Sequence, residues 1–211
     1  MIIFDVNNLI SMIPCSAIPL VGFIEWFTTC YYLKHKFLEI YRKIALSVKY
    51  DNKRLLMAAI VEHHYWEIQT SRLNHFFRCM TFIIYYIGTL PTILFIYMLH
   101  HPDATRELKI PSLLIVISAY SIIFSMNAMS TWISKAAHKP LSLLFSYIST
   151  RNIRFSTSDR LRVQAFIERL CGPAIGYYCY DLFPMNTYEL YQYLYFSGSN
   201  YLLCLYCDYN L

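Results

Sequence analysis

Charge is the property that this sequence most lacks, and its absence follows a pattern. Only 15% of the 211 residues are charged and 57% are hydrophobic, whereas a typical soluble domain carries about 25% charged residues. Two long stretches, 79–102 and 110–134, contain no Asp, Glu, Lys or Arg at all. This composition excludes an ordinary soluble domain and indicates a protein whose apolar segments lie in a membrane.

Glycine is also scarce, with five residues in the whole chain. A transmembrane β-barrel would show apolar and polar residues alternating over segments of about ten residues. We find no such segments, and the apolar runs are instead long and continuous. The expected fold class is therefore all-α: a multi-pass membrane helix bundle with four transmembrane helices, long cytosolic helical extensions and a split last helix.

The sequence contains no recognisable catalytic or cofactor motif. Phosphate-cradling glycines, a G-x-S-x-G turn and an H-E-x-x-H helix are all missing. Cys204 and Cys207 form a single C-x-x-C, but no second pair and no neighbouring histidine completes a metal site. We therefore expect no cofactor, no metal and no enzymatic activity. The net charge of +5 does not indicate nucleic-acid binding, because the basic residues flank apolar segments rather than forming one stripe.

What is present is an alternation of basic segments. Residues 1–8 contain no Lys or Arg, residues 34–78 contain nine, residues 103–109 two, residues 135–169 seven, and the tail after residue 205 none. Basic residues accumulate on the cytosolic side of membrane proteins. The pattern predicts a protein that crosses a membrane four times, with both ends of this chain outside and basic cytosolic segments near anionic lipid headgroups.

The apolar and basic segments divide the chain into six parts. The predicted transmembrane segments are 1–33, 79–102, 110–134 and 187–207, and the predicted cytosolic segments are 34–78 and the anchor-like 135–183. We expect a break in the first cytosolic segment near 49–53, a kink at Gly88 and Pro91, and a helix that starts at Ser156 and ends at Gly172-Pro173.

Polar residues inside two predicted spans each allow two interpretations. Glu25 either lies near the cytosolic end of the first span and pairs with a basic neighbour, or faces the bundle interior as a functional carboxylate. Ser118, Ser121 and Ser125 share one helix face. They permit close helix packing or, less simply, line a path for ions.

The start of the last helix is marked by a break and a cap. Pro184 interrupts the chain, Asn186 is a good N-cap residue, and Glu189 follows at the position of a capping-box acid. The 21 residues of 187–207 would form about 31 Å of helix, the thickness of one bilayer. We therefore place the break at the cytosolic interface.

A polar face runs along this last helix. Ser197, Asn200, Cys204 and Cys207 recur at helical spacing, and Asp208 follows at the outer end. Small polar residues in hydrocarbon must contact protein or water. Packing within one subunit explains the face, and so does a pore to which each of several subunits contributes one helix.

Taken together, the split last helix, the topology and the segment from Asn200-Tyr201 to Cys207-Asp208 resemble the C-terminal half of the arthropod gustatory receptors, in the insect chemoreceptor superfamily. The family's signature there is Thr-Tyr, five mostly apolar residues, and Gln-Phe. Tyr201 and the spacing match, whereas Asn200 replaces Thr and Cys207-Asp208 replaces Gln-Phe. The missing Gln is a departure at a position that resembles the pore-lining one.

The resemblance implies a chemosensory subunit of a ligand-gated cation channel. It further implies a homo- or hetero-tetramer in the lipid bilayer, an unidentified small-molecule tastant bound in the outer half of the bundle, and three helices upstream of residue 1. The residues expected to line the pore are Ser197, Asn200, Tyr201, Cys204, Cys207 and Asp208. The alternative is a four-span membrane scaffold or accessory protein without a pore, and a membrane enzyme is a distant third.

Overall fold

The computed structural model describes residues 2–87, 89–101, 105–150, 156–180 and 182–209, and nearly all of them are helical. The helices in chain order are α1 (Ile2–Lys49), α2 (Lys53–Phe82), α3 (Thr89–His100), α4 (Arg106–His138), α5 (Pro140–Thr150), α6 (Thr157–Cys171) and α7 (Thr187–Tyr209). A π-helical segment, Ile83–Ile87, connects α2 to α3. The short strands β1 (Tyr178–Cys179) and β2 (Phe183–Pro184) precede α7.

The first break in the helices falls where the sequence predicted it, at residues 50–52. Asp51 adopts a left-handed backbone conformation with φ of 51°, which a short polar residue tolerates better than most others. Asn52 then caps α2, its Oδ1 accepting a hydrogen bond of 3.1 Å from the amide of Leu55. The hydroxyl of Tyr147 on α5 donates to Asp51 Oδ1 at 2.5 Å, so a distant helix holds this turn.

The second irregularity lies in the charge-free stretch after α2. The helix widens into the π segment Ile83–Ile87 immediately before Gly88, which itself lies outside the described residues. Short π segments interrupt the regular hydrogen-bond ladder and often mark functional positions. The sequence predicted an irregular helix here from Gly88 and Pro91, and the structure places the irregularity one turn earlier.

The helix that begins after Ser156 ends where the sequence predicted. α6 ends at Cys171, directly before Gly172-Pro173. Gly172 is extended and is followed by Pro173, which disfavours a helical conformation in the residue before it. The chain then forms an antiparallel pair in which Tyr178 lies opposite Pro184 and Cys179 opposite Phe183.

The core lies where α1 packs against α2 and α4. Its largest fully buried side chains in α1 are Trp26, Leu33 and Phe37, and those in α4 are Met126 and Ile133. The junction between α6 and α7 adds Tyr177 and Cys179 to the same core. The last helix, α7, packs against α3 and α4.

Within the residues that the structure describes, two helical stretches are long and apolar enough to cross a membrane, Lys53–His100 and Arg106–Ser149. Only 27% and 17% of their most apolar windows are buried inside the chain. The core helix of a soluble protein would be mostly buried, so these exposed apolar surfaces favour contact with lipid or with other membrane helices.

Candidate functional site at the start of the last helix

The segment from Gly172 to Asn186 forms the junction between α6 and α7. Side chains on α2 and α4 accept hydrogen bonds from its backbone amides and hold it to these helices. Asn74 Oδ1 on α2 accepts from the amide of Tyr178 at 2.7 Å. On α4, Ser130 Oγ accepts from the amide of Tyr177 at 3.3 Å. Buried N–H groups need hydrogen-bond partners. In helices and strands the backbone supplies these partners, and in the junction the side chains of Asn74 and Ser130 supply them.

His138, near the end of α4, contacts both sides of the α6 terminus. Its Nε2 accepts from the amide of Ile175 at 3.0 Å, so Nδ1 carries the proton and donates to the carbonyl oxygen of Leu170 at 2.8 Å. One neutral imidazole therefore satisfies a carbonyl before Gly172 and an amide after it.

The side chain of Tyr177 inserts from the junction into the core. Its ring lies 5.6 Å from that of Trp26 on α1 and 6.3 Å from that of Phe77 on α2, centroid to centroid. Tyr177 is 1% exposed, and this burial raises the pKa of its hydroxyl far above the usual value. Tyr177 is therefore a neutral anchor for the junction.

The first turn of α7 follows directly from β2. Asn186 Oδ1 accepts a hydrogen bond of 3.0 Å from the amide of Glu189, the geometry of an N-cap. Pro184 forms the last position of β2, and the amide of Met185 donates to the carbonyl oxygen of Tyr177 at 2.8 Å. The start of α7 is thus coupled to the hairpin.

A cluster of hydroxyl, amide and aromatic groups joins α7 to the π segment. Asn127 on α4 donates through Nδ2 to the hydroxyl of Tyr85. The ring of Tyr85 lies 5.8 Å from that of Tyr193 on α7, and the hydroxyl of Tyr193 lies 3.4 Å from Oγ1 of Thr89. A shift of α7 would have to break these contacts.

A cleft of about 560 Å³ opens beside this cluster. Small-molecule sites are commonly concave, mostly apolar and supplied with a few polar groups, and this cleft has that character. Its lining contains Tyr85, Tyr86, Thr89, Phe183, Glu189, Gln192, Tyr193 and Phe196.

The structure places the predicted pore-lining residues in different surroundings. Ser197 is 1% exposed and faces the helices of its own chain. Asn200 is partly exposed, and its Nδ2 donates to the carbonyl oxygen of Phe196 at 2.8 Å. The ring of Tyr201 lies 5.1 Å from that of His100. The side chains of Cys204, Cys207 and Asp208 lie outside the described part of the chain.

Glu25 and the serine face of the third predicted span lie away from the core. Glu25 is exposed, so it does not face the interior of this bundle. The hydroxyls of Ser118 and Ser125 donate to carbonyl oxygens of their own helix at 2.8 Å and 2.7 Å. The face of α4 that carries Ser118 and Ser121 is therefore exposed and does not contact the core of this chain.

The sequence did not predict the residues that hold the junction in place: Asn74, Ser130 and His138. Each lies far along the chain from the amide whose hydrogen bond it accepts, and no local motif marks it. No family model matches the sequence, and no curated protein is significantly similar to it.

Proposed function

We propose that this chain is a subunit of a ligand-gated cation channel in the plasma membrane, of the kind that the gustatory-receptor resemblance implies. The observation that carries the proposal is the way in which α7 is attached to the rest of the bundle. The last helix follows a break, is coupled at its start to a docked junction, and contacts the bundle through α3 and α4. A helix held in this way can transmit a movement of the bundle to its own outer end.

The four-span topology rests on the charge pattern together with helix length. Besides the two long apolar stretches, α7 has 23 residues and would extend about 35 Å, enough to cross a bilayer. The first span corresponds to the N-terminal part of α1. In this topology the α7 break lies at the cytosolic face and both chain ends lie outside.

The outer half of α7 supplies the proposed pore surface. Leu202, Leu203 and Tyr206 are 60% or more exposed, so this half has surface available for partner subunits and for a central pore. Ser197 is buried in its own subunit, and the pore-lining positions therefore begin at Asn200. Asp208 would place a carboxylate at the outer mouth, where a ring of carboxylates attracts cations.

Binding of a small molecule is assigned to the cleft between the π segment and α7. The cleft contacts Tyr85 and Tyr193, whose rings join the two elements. A ligand that binds one arrangement of these elements better than the other would shift the population of open channels. The resemblance placed the ligand in the outer half of the bundle, whereas this cleft lies near the first turns of α7.

Thiol modification tests the pore. The full chain, together with any upstream coding sequence, is expressed in oocytes, and currents are recorded before and after a membrane-impermeant methanethiosulfonate reagent applied from outside. Modification of Cys204 or Cys207 should change the current, and Cys204→Ser with Cys207→Ser should abolish the effect. Cys171→Ser is the control for loss of a cysteine outside the pore: Cys171 is exposed at the end of α6, on the cytosolic side in the proposed topology, and this variant should respond to the reagent as the wild type does. An unchanged current in the wild type, with channel activity intact, would remove α7 from the pore.

One observation favours a second function, a four-span scaffold without a pore. Ser197 packs inside its own subunit, as the simple packing interpretation of the polar face expects. A chain that stays monomeric in mild detergent and carries no current would support the scaffold. A fourfold assembly would oppose it.

A further inference from the structure

A second cleft, of about 380 Å³, lies between α1, α4 and the start of α7. We propose that it binds one anionic glycerophospholipid of the cytosolic leaflet, with the phosphate at Lys135 and the acyl chains along Phe27 and Phe124. The proposal rests on the membrane placement given under Proposed function.

The polar end of the cleft offers groups that bind a phosphate. Lys135 lines it, and the hydroxyls of Thr131 and Thr187 lie 3.5 Å apart beside it. Thr187 is the first residue of α7, so the positive end of a helix dipole also points to this region. The ammonium group of Lys135 and the hydroxyl of Thr187 can both donate hydrogen bonds to phosphate oxygens, whereas the hydroxyl of Thr131 donates to the carbonyl oxygen of Asn127 at 2.7 Å.

A second lysine strengthens the positive potential at the same end. Lys34 on α1 places its Nζ 4.5 Å from the ring centroid of Trp132, and Trp132 lines the cleft. In the described part of the chain no carboxylate forms an ion pair with Lys34 or with Lys135. Lysines near a membrane surface favour anionic lipids, and these two have no carboxylate to compensate their charge.

The rest of the cleft is mostly apolar, with Ser125 and Asn127 as its polar residues, and it extends in the direction that a lipid requires. Phe27 precedes Lys34 by seven residues, about 10 Å along α1, and Phe124 precedes Lys135 by eleven, about 16 Å along α4. Both helices run from outside to the cytosol in the proposed topology. The apolar walls therefore lie toward the membrane centre and both lysines toward the cytosol.

This change from apolar walls to basic side chains along the cleft distinguishes a phospholipid from simpler occupants. A free phosphate would contact the lysines but gain nothing from Phe27, Phe124 and Leu190. A neutral lipid would fill the apolar part and leave the lysines uncompensated. Trp132 also has the amphipathic ring that accumulates at the membrane–water interface. An anionic phospholipid would contact both parts of the cleft, its phosphate at the lysines and its acyl chains at the apolar walls.

Quenching of Trp132 fluorescence by brominated lipids tests the proposal. The full chain is reconstituted into phosphatidylcholine nanodiscs that contain a low mole fraction of brominated phosphatidylserine or, separately, of brominated phosphatidylcholine. Subtracting the signal of Trp132→Phe isolates the response of this residue from the other two tryptophans. We expect the serine lipid to quench at about tenfold lower mole fraction than the choline lipid.

Variants assign the preference to the cleft. Lys34→Gln with Lys135→Gln should abolish the preference for the serine lipid, and Lys135→Arg, which keeps the charge, should retain it and report correct folding. Lys109→Gln, at the opposite end of α4, should behave as the wild type. Glycerol 3-phosphate in millimolar excess should not relieve the quenching.

The outcomes that overturn the proposal are distinct from failure of the proposed membrane placement. Equal quenching by both lipids, or relief by glycerol 3-phosphate, would remove the anionic phospholipid while leaving Trp132 at the bilayer. An unchanged preference in the double lysine variant would do the same. Absence of quenching by either lipid would contradict the membrane placement itself.

Discussion

Asn74, in the middle of α2, accepts a hydrogen bond of 2.7 Å from the backbone amide of Tyr178, 104 residues further along the chain. This bond joins the predicted cytosolic part of α2 to the hairpin that precedes the last helix. Asn74 is buried, so water cannot easily replace it as a partner. Any movement of α2 would be transmitted to the hairpin and from there to the start of α7.

Removing this acceptor should destabilise the junction. Asn74→Leu leaves the amide of Tyr178 buried without a partner, which costs roughly 1–3 kcal/mol. We expect a lower melting temperature for the detergent-solubilised protein by differential scanning fluorimetry. Ser149→Ala is the control, because Ser149 is exposed and bonds locally to Ser146. Equal melting of Asn74→Leu and the wild type would mean that the junction is not held by this bond.

His63 should make stability depend on pH. It is fully buried between Phe37 and Phe166, and its Nε2 donates to the carbonyl oxygen of Ala137 at 2.9 Å. Burial lowers the pKa of His63, with smaller contributions from His138 and Arg169 in the same direction and from Ala137 and Glu67 in the opposite one. The unfolded chain therefore binds this proton more readily than the folded one.

The sign of the effect follows from that difference. Stability is complete above the unfolded pKa of about 6.5 and falls as the pH decreases toward the folded pKa, by at most about 1.4 kcal/mol per pH unit. His63→Gln keeps a donor and should flatten the melting temperature between pH 5 and 7. His75→Gln, at an exposed position of the same helix, should keep the wild-type slope. A slope that survives His63→Gln would assign the dependence to another group.

Lys43 connects α1 to α2 through a shared ion pair. Its Nζ lies 2.8 Å from Glu62 Oε2 and 3.1 Å from Glu39 Oε1, and both carboxylates favour its charged form, so its pKa is raised. A double-mutant cycle with Lys43→Met and Glu62→Gln should give a coupling of about 0.5 kcal/mol that decreases with salt, because all three side chains are partly solvated.

A single variant separates the contact between helices from a local one. Lys36 pairs with Glu39 within α1 at 3.0 Å, and Lys36→Met, which leaves Glu39, Lys43 and Glu62 in place, should leave the coupling between Lys43 and Glu62 unchanged. The readout is the urea midpoint at low and at high salt. A Lys43–Glu62 coupling of zero at low salt would contradict a stabilising role.

The topology predicts which positions are accessible from outside an intact cell. Epitope tags at the N-terminus and the C-terminus should stain without permeabilisation, because the proposed topology places the basic segments 34–78 and 135–183 in the cytosol. A tag inserted after Asp51 should stain only after permeabilisation. This turn is exposed and tolerates an insertion better than the flanking helices. Staining of the Asp51 tag on intact cells would invert the topology.

Local features of this protein were readable from the sequence. The break at residues 50–52, the helix start at Ser156 and the cap at Asn186 all depend on residue types that act within one turn of the chain. Ser156 Oγ accepts from the amide of Asp159 at 3.2 Å, and Asn186 makes the corresponding bond to Glu189. The two charge-free stretches likewise indicated apolar helices without any knowledge of packing.

Some predictions failed or stay open because the residues alone could not decide them. Gly88 and Pro91 predicted a kink, whereas the structure has the π segment Ile83–Ile87 about one turn earlier. Ser197 belongs to a polar face that the sequence could assign either to packing or to a pore. Only the position of α7 against α3 and α4 shows that Ser197 is buried in its own chain.

The sequence by itself therefore determined the break at residues 50–52, the helix start at Ser156, the cap at Asn186 and the stretches apolar enough for a membrane, because these properties depend on neighbours three or four residues away. The tertiary structure decided what holds the junction before α7: Asn74, Ser130 and His138 accept amides that lie 104, 47 and 37 residues away. Such pairings arise only when packed helix faces bring distant backbone and side chain together.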